Sequence, residues 1–283
     1  MAMYTSTDDV GGLLPEQIGA LVVQPVLDGS VAAQTGTVVN VSSTSYRVPL
    51  VTEDPSAAWV AEGAEITPDD ATMDELEVTP SKVAGLTIIS RELAEDSSPA
   101  AQQVVGEGLA RDISRKVDAA FFANTTSNGP AGLGSLTTSV VGGGWTNTDP
   151  FAEAISKAEA QGGSLNFFIA SAADALTLAQ VKKATGSNEP LLGASATEPG
   201  QRRILGVPLV VSSQLTAGTI WGIDSRFVQF VVRDNTRLEV DKSAYFSSDR
   251  VGVKATMRVA FAFTHPLALV KLTEDDESSS SSS

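Results

Sequence analysis

The 283-residue sequence predicts an α+β fold. Three patterns predict it. After Ser98, apolar residues recur every four positions: Val105, Leu109, Ile113, Val117 and Phe121. Glu107, Arg111, Asp112, Arg115, Lys116 and Asp118 fill the other faces, which is the period of an amphipathic helix. Near the end, Val251, Val253, Ala255, Met257, Val259, Phe261 and Phe263 alternate with Lys254, Thr256, Arg258, Ala260 and Ala262, the period of a strand. Between these stretches, short helical and strand patterns succeed one another in a mixed α+β arrangement.

In chain order, Pro15 to Val26 has Ile18, Leu21, Val22 and Val26 on one side of a helical fragment. The Ser/Thr/Val-rich segment Val31–Ser45 follows. Residues 1–45 are too polar and too few for a domain and read as an arm that must lie on something else. Tyr46–Val51 is a strand, with Pro49 placing it at an edge or an end. Thr52–Asp74 is a long polar excursion that nevertheless carries Trp59 and Val60. A connection of that length is functional or disordered, and Trp on it either marks a partner surface or folds back on its own domain. Glu75–Leu86 returns to alternation, through Leu76, Val78, Val83 and Leu86, and an apolar strand ends at Ser90. Ser98 can cap the long helix and Pro99 suits its first turn.

The second half continues with Thr125–Asn147, rich in Gly, Ser and Thr and therefore loop. A helix runs from Ala152 to Gln161, opened by Asp149-Pro150-Phe151 and closed by Gly162-Gly163. Leu165–Ala170 is a buried strand. Ser171 caps a helix from Ala172 to Ala184, and Thr185–Gln201 is a polar loop. Ile204–Val211 is a strand with a turn in it. Thr219–Asp224 and Phe227–Arg233 are further strands, and Pro266–Leu272 is the last apolar one.

Charge is spread unevenly. Residues 1–81 hold thirteen acids against Arg47, a net of −12. Residues 274–277 add −4, so the rest of the −15 chain is +1. No basic footprint for nucleic acid exists, and tight nucleic-acid binding is not expected. There is no cysteine, hence no disulfide or thiolate chemistry. No apolar run is long enough for a membrane span, and the first residues lack the features of a secretory signal.

Three motifs in order carry a family resemblance. They are Ala58-Trp59-Val60-Ala61-Glu62-Gly63-Ala64 in the long excursion and Ile89-Ser90-Arg91-Glu92-Leu93-Ala94-Glu95-Asp96-Ser97 before the helix. The third is Asp118-Ala119-Ala120-Phe121-Phe122-Ala123-Asn124, followed by Gly129-Pro130-Ala131-Gly132-Leu133. Together they resemble the major capsid proteins of tailed bacteriophages, the HK97-like fold, over essentially the whole chain. The resemblance implies an N-terminal arm (1–45), an extended β-hairpin loop (46–85) and an axial domain (131–234). It also implies a peripheral domain with a long spine helix (86–130 and 235–273), whose closing sheet packs under that helix. An acidic, Ser-rich tail (274–283) is expected to be disordered.

No catalytic, cofactor or metal site is expected. His265, the one histidine, precedes Pro266 and reads as a turn residue. No P-loop is present. Asp69, Asp70, Asp74 and Glu75 lack EF-hand spacing and read as a solvated acidic loop.

The resemblance implies a structural, non-enzymatic subunit of an icosahedral shell. Its hexamers and pentamers would enclose double-stranded DNA in a virion assembled in the host cytoplasm, alongside portal, scaffold or decoration proteins. The alternative is an encapsulin-type nanocompartment shell, which gene neighbours would distinguish. Some family members cleave an N-terminal scaffolding segment; arm-like residues begin near Met1 here, so none is expected within this chain. Covalent locking in the family joins a Lys on the extended loop to an Asn on the neighbour. No Lys precedes Lys82, and Arg47 is a poor nucleophile, so a non-covalent shell is expected.

Overall fold

A computed structural model describes residues 24–274, apart from 54–56, 58, 62, 64, 66–69, 71, 91–99, 185–186, 193–201, 234–236 and 242. Residues 15–23, the helix start at Ser98 and Pro99, parts of the first two motifs and the tail beyond Glu274 lie outside the described residues. Two short helices come first, α1 (Gln24–Gly29) and α2 (Val31–Thr35), then strand β1 (Thr37–Val41). Strands β2 (Tyr46–Glu53) and β3 (Thr72–Val78) form a hairpin, followed by β4 (Ser81–Ser90) and the long helix α3 (Ala100–Phe122).

The 23 residues of α3 span about 35 Å at 1.5 Å per residue. Its expected stripe faces inward: Ile113, Val117 and Phe121 are buried, and Leu109 packs against them. Gly132 explains why the segment after the helix returns so closely. A Cβ there would sit 2.1 Å from the Ala120 carbonyl oxygen, so no other residue fits under the last helical turn. That approach drives Leu133 fully into the core.

The remaining elements are β5 (Ser139–Gly142), α4 (Asp149–Ala160), β6 (Phe167–Ser171) and α5 (Ala172–Gln180). Then come β7 (Arg203–Ile204), β8 (Val207–Ser212), β9 (Thr219–Ile223), β10 (Val228–Arg233), β11 (Arg237–Asp241), β12 (Arg250–Phe263) and β13 (Val270–Thr273). Ser171 caps α5 by accepting from the Asp174 N–H, as its position suggests. The helix stops four residues before the expected Ala184. Beyond it the Lys183 and Leu191 N–H groups bond the Glu189 and Val181 carbonyls in place of helical partners.

Two sheets share the body. In the first, β12 pairs antiparallel with β4, β10 and β11, and β1 adds in parallel to β10. Its alternation is as expected: all seven residues from Val251 to Phe263 on the apolar register are buried. Ala255 to Phe263 pack with the α3 stripe, and Val251 and Val253 form a smaller cluster with Ile89, against which Leu109 packs. Ala260 and Ala262 are buried on the opposite face, against Val41, Val231 and the base of the β2–β3 hairpin. The second sheet runs β5-β13-β9-β6-β8-β7, and α4 and α5 cover it over a core built on Trp145, Phe151 and Phe168.

Three expectations change. The strands do not divide at 234/235. β10, from the segment 131–234, joins the sheet under α3, and β13, expected in that sheet, pairs with β5 and β9 in the other. A four-residue apolar run announces a strand but not its neighbours; the turn at Pro266–Ala268 carries the chain across between sheets. The return stretch 75–86 is two strands, because Pro80 has no N–H to continue a ladder and β4 re-pairs with β12. Residues 24–41 are also no mere overlay: Val26, Val31, Ala32 and Thr35 are buried in the first core, and β1 is a strand of its sheet.

Candidate interaction surface

The β2–β3 hairpin leaves the body and, among the described residues, pairs with no other strand. Its ladder runs from Tyr46↔Val78 to Glu53↔Thr72, with an irregularity between Val51 and Glu53. Pro49 is tolerated because the hairpin has two free edges. The base is anchored: Tyr46, Leu76 and Val78 pack on the outer face of the first sheet. Along the ribbon Arg47 lies 3.6 Å from Glu75 and 3.4 Å from Glu77, exposed ion pairs of little energetic weight.

Its far end is both apolar and acidic. Trp59 is 106% exposed and Met73 71%, so neither touches the body. Of the two readings of Trp59, folding back on its own domain is not what the structure shows. Residues 48–81 carry nine acids and no Lys or Arg. Glu65 and Asp70, both exposed, form no hydrogen bond or ion pair among the described residues.

The body carries a groove between α3, β4 and the loop after α3, enclosing about 620 Å³. Its lining includes the apolar Val83, Ala84, Val117, Ala120, Pro130 and Val259. Lys82, Lys116 and Asp112 stand at its rim, and all three are exposed with no hydrogen bond or ion pair among the described residues. Nothing in the sequence marked this groove, because its lining comes from residues 81–84, the stretch 112–130 and the distant Val259. Lys116 is one of several charges on the amphipathic helix and carried no distinguishing signal.

A second feature fixes the start of the body. Asp118, read from the helix pattern as an outward charge, is 5% exposed. Its carboxylate accepts from Ser30 Oγ at 2.6 Å, the Val31 N–H at 3.1 Å and the Ala32 N–H at 3.2 Å. It thereby takes orphan donors at the start of α2 and ties residues 24–35 to α3. Burial holds its carboxyl above the ordinary carboxylate range, against the opposing pull of the three donors.

The chemistry-bearing residues do not converge. His265 opens the turn at Pro266–Ala268, with Nε2 3.0 Å from the Gln161 carbonyl oxygen and its ring edge-on to Phe227 at 5.2 Å. Of the acidic quartet, Asp69 lies outside the described residues. Among the described residues no three His, Cys, Asp or Glu side chains cluster as a metal site would need. The buried Asp174 takes the Trp145 indole N–H at 3.2 Å and the Gly218 N–H at 3.0 Å, and Asp224 is gripped by Arg226; both tie loops to the second sheet.

Residues 10–273 match a family model described as the phage capsid family. The fold is similar to the capsid of a native GTA particle, at 18% identity, with 98% of this chain and 96% of that one covered and a TM-score of 0.72. It is similar to a structure from Microbacterium phage Oxtober96, at 16% identity, 97% and 96% coverage and a TM-score of 0.72. It is also similar to one from Mycobacterium phage Adephagia, at 18% identity, 88% and 91% coverage and a TM-score of 0.70. No curated protein sequence matches the chain.

Proposed function

The chain belongs to the phage capsid family, and we propose that its copies form the hexamers and pentamers of an icosahedral shell around double-stranded DNA. The observation that carries this reading is the hairpin. An ordinary monomer has no use for a ribbon that ends in a fully exposed Trp59. A subunit that reaches over its neighbour does: a knob on one copy and its seat on the next make a heterologous contact, which closes into a ring. In this anatomy residues 46–80 are the extended loop and α3 the spine helix. The first sheet with α3 is the peripheral domain, and the second sheet with α4 and α5 is the axial one. Residues 1–45 are the arm, of which 24–41 are built into the body.

Purified protein should give closed particles by electron microscopy and a scattering mass far above 29.3 kDa. A monodisperse monomer under all solution conditions would overturn the reading. Trp59→Ala should leave the subunit folded, since the side chain touches none of its own core, and should cost about 2 kcal/mol or more per interface. Assembly would then need a higher subunit concentration, readable by light scattering. Unfolding of the isolated subunit by this substitution would instead make Trp59 a core residue.

The shell is held without covalent bonds. Residues 48–81 offer no lysine, and Lys82 sits in β4, opposite Arg258 and paired into the sheet, away from the hairpin tip. Particles boiled in detergent should run as one band near 29.3 kDa; a ladder would show another linking chemistry. The acidic ends and near-neutral body also suit a lining that does not hold packaged DNA tightly.

A further inference from the structure

We infer that a small cavity between α1, α2, α3 and the end of β8 is a binding site for a phosphate-type oxyanion, held by Arg111, Ser114 and Arg115. The site lies within one subunit and does not depend on the shell reading. The cavity encloses about 230 Å³, with Gly29 and Val31 on one side, α3 on another and residues 211–214 on the third. That is below the roughly 300–1,000 Å³ occupied by small organic ligands, and it suits an ion with a few waters.

Positions 111, 114, 115 and 118 share one face of α3 and all line the cavity. Arg111 and Arg115 stand one turn apart, where like charges repel. Arg115 has no hydrogen bond or ion pair among the described residues. Arg111 reaches Glu107 at 3.9 Å, an exposed pair of little weight. Ser114 is the sharper signal. It is 5% exposed and lines the cavity, yet its hydroxyl makes no hydrogen bond among the described residues. A helical hydroxyl can satisfy itself on the carbonyl four residues back, as Thr177 does on Ala173 at 3.2 Å. Ser114 does not, and Gly29 keeps the space beside it: a Cβ there would come 3.4 Å from Ser114 Oγ.

Across the cavity, Ser213 Oγ accepts from Gln214 Nε2 at 3.0 Å, which leaves its own hydrogen to donate. Asp118 is the one acid in the lining, and both its oxygens are taken by Ser30 Oγ and the Val31 and Ala32 N–H groups. Two guanidiniums and two hydroxyls therefore face a space that offers them no strong acceptor. A phosphate supplies one to each, and the planar fork of arginine matches its oxygens. Bound there, it links α3 of the first core to the loop that leaves β8 of the second sheet.

The test titrates inorganic phosphate into the purified full-length chain at constant ionic strength, read by the phosphorus resonance and the unfolding temperature. Saturable binding is expected, with an unfolding temperature that climbs as phosphate is added. Arg115→Gln and Ser114→Ala should each weaken binding about tenfold. Arg47→Gln, on the hairpin, should leave it unchanged. Ser114→Ala deletes a hydroxyl without a partner, so its result is not obscured by misfolding. Absence of saturable binding, parent-like binding by both cavity variants, or an equal loss in Arg47→Gln overturns the proposal. A short single-stranded oligonucleotide added to the phosphate complex separates two sources of the same chemistry. Displacement makes a nucleic-acid backbone the ligand, retention makes it the free ion, and either result supports the site. A chain that binds phosphate but never forms particles supports this site and overturns the shell reading alone.

Discussion

Replacing Phe121 with alanine is expected to cost the subunit about 3–5 kcal/mol, a large part of the 5–15 kcal/mol that holds a typical domain. Phe121 has no exposed surface and sits where α3 meets the first sheet. Its ring lies 5.1 Å from Phe261 and 5.2 Å from Phe122, both edge-on, and 6.2 Å from Phe263. Removing it opens a cavity that neither element can fill, because the helix is held at its end by Gly132 and the strand by ladders with β4 and β10. Phe122 is the control: it is half-buried and packs on the rim of the same cluster, so Phe122→Ala should cost less. Urea unfolding should show a lower midpoint for Phe121→Ala with an unchanged slope. A loss under about 1 kcal/mol would mean that α3 is not seated on this cluster.

That cluster was legible in the sequence because both sides of it obey a local period. The four-residue spacing from Val105 to Phe121 and the two-residue spacing from Val251 to Phe263 each need nothing from elsewhere in the chain. The hairpin was legible for the opposite reason, since an apolar Trp59 in a polar excursion conflicts with its surroundings. What stayed hidden depends on distant partners. β13 reads as a strand in either sheet, and its choice is made by β9 and β5, some 50 and 130 residues away. The groove borrows Ile113 and Val117 from the helical stripe, but β4, the loop after α3 and Val259 meet them only in the folded chain. Asp118 looked like any charge on a helix, and the groups that bury it lie 86 to 88 residues upstream, two of them backbone N–H groups that no side-chain pattern can announce.

Asp118 is where the second large effect is expected. Asp118→Ala removes the acceptor for Ser30 Oγ and the Val31 and Ala32 N–H groups while leaving them buried. Orphaned donors cost about 1–3 kcal/mol each, partly recovered because a buried charge is also removed, so a net loss of about 3 kcal/mol is expected. The loss should be local first, with hydrogen exchange rising across residues 24–35 before the rest of the body opens. Asp118→Asn isolates the charge. It keeps the shape and one acceptor but titrates no proton. Burial raises the native carboxyl above its ordinary value of 3.8, so the folded chain binds a proton more readily than the unfolded one. The favourable contribution is then fully present below the unfolded value and is lost as pH rises through the raised native one. The stability gap between the native chain and Asp118→Asn should therefore be widest below the ordinary value of 3.8 and shrink toward neutrality. Urea titrations across that range read it directly. A gap that instead grows toward neutrality would show that the three donors outweigh burial and hold the carboxyl below its ordinary value.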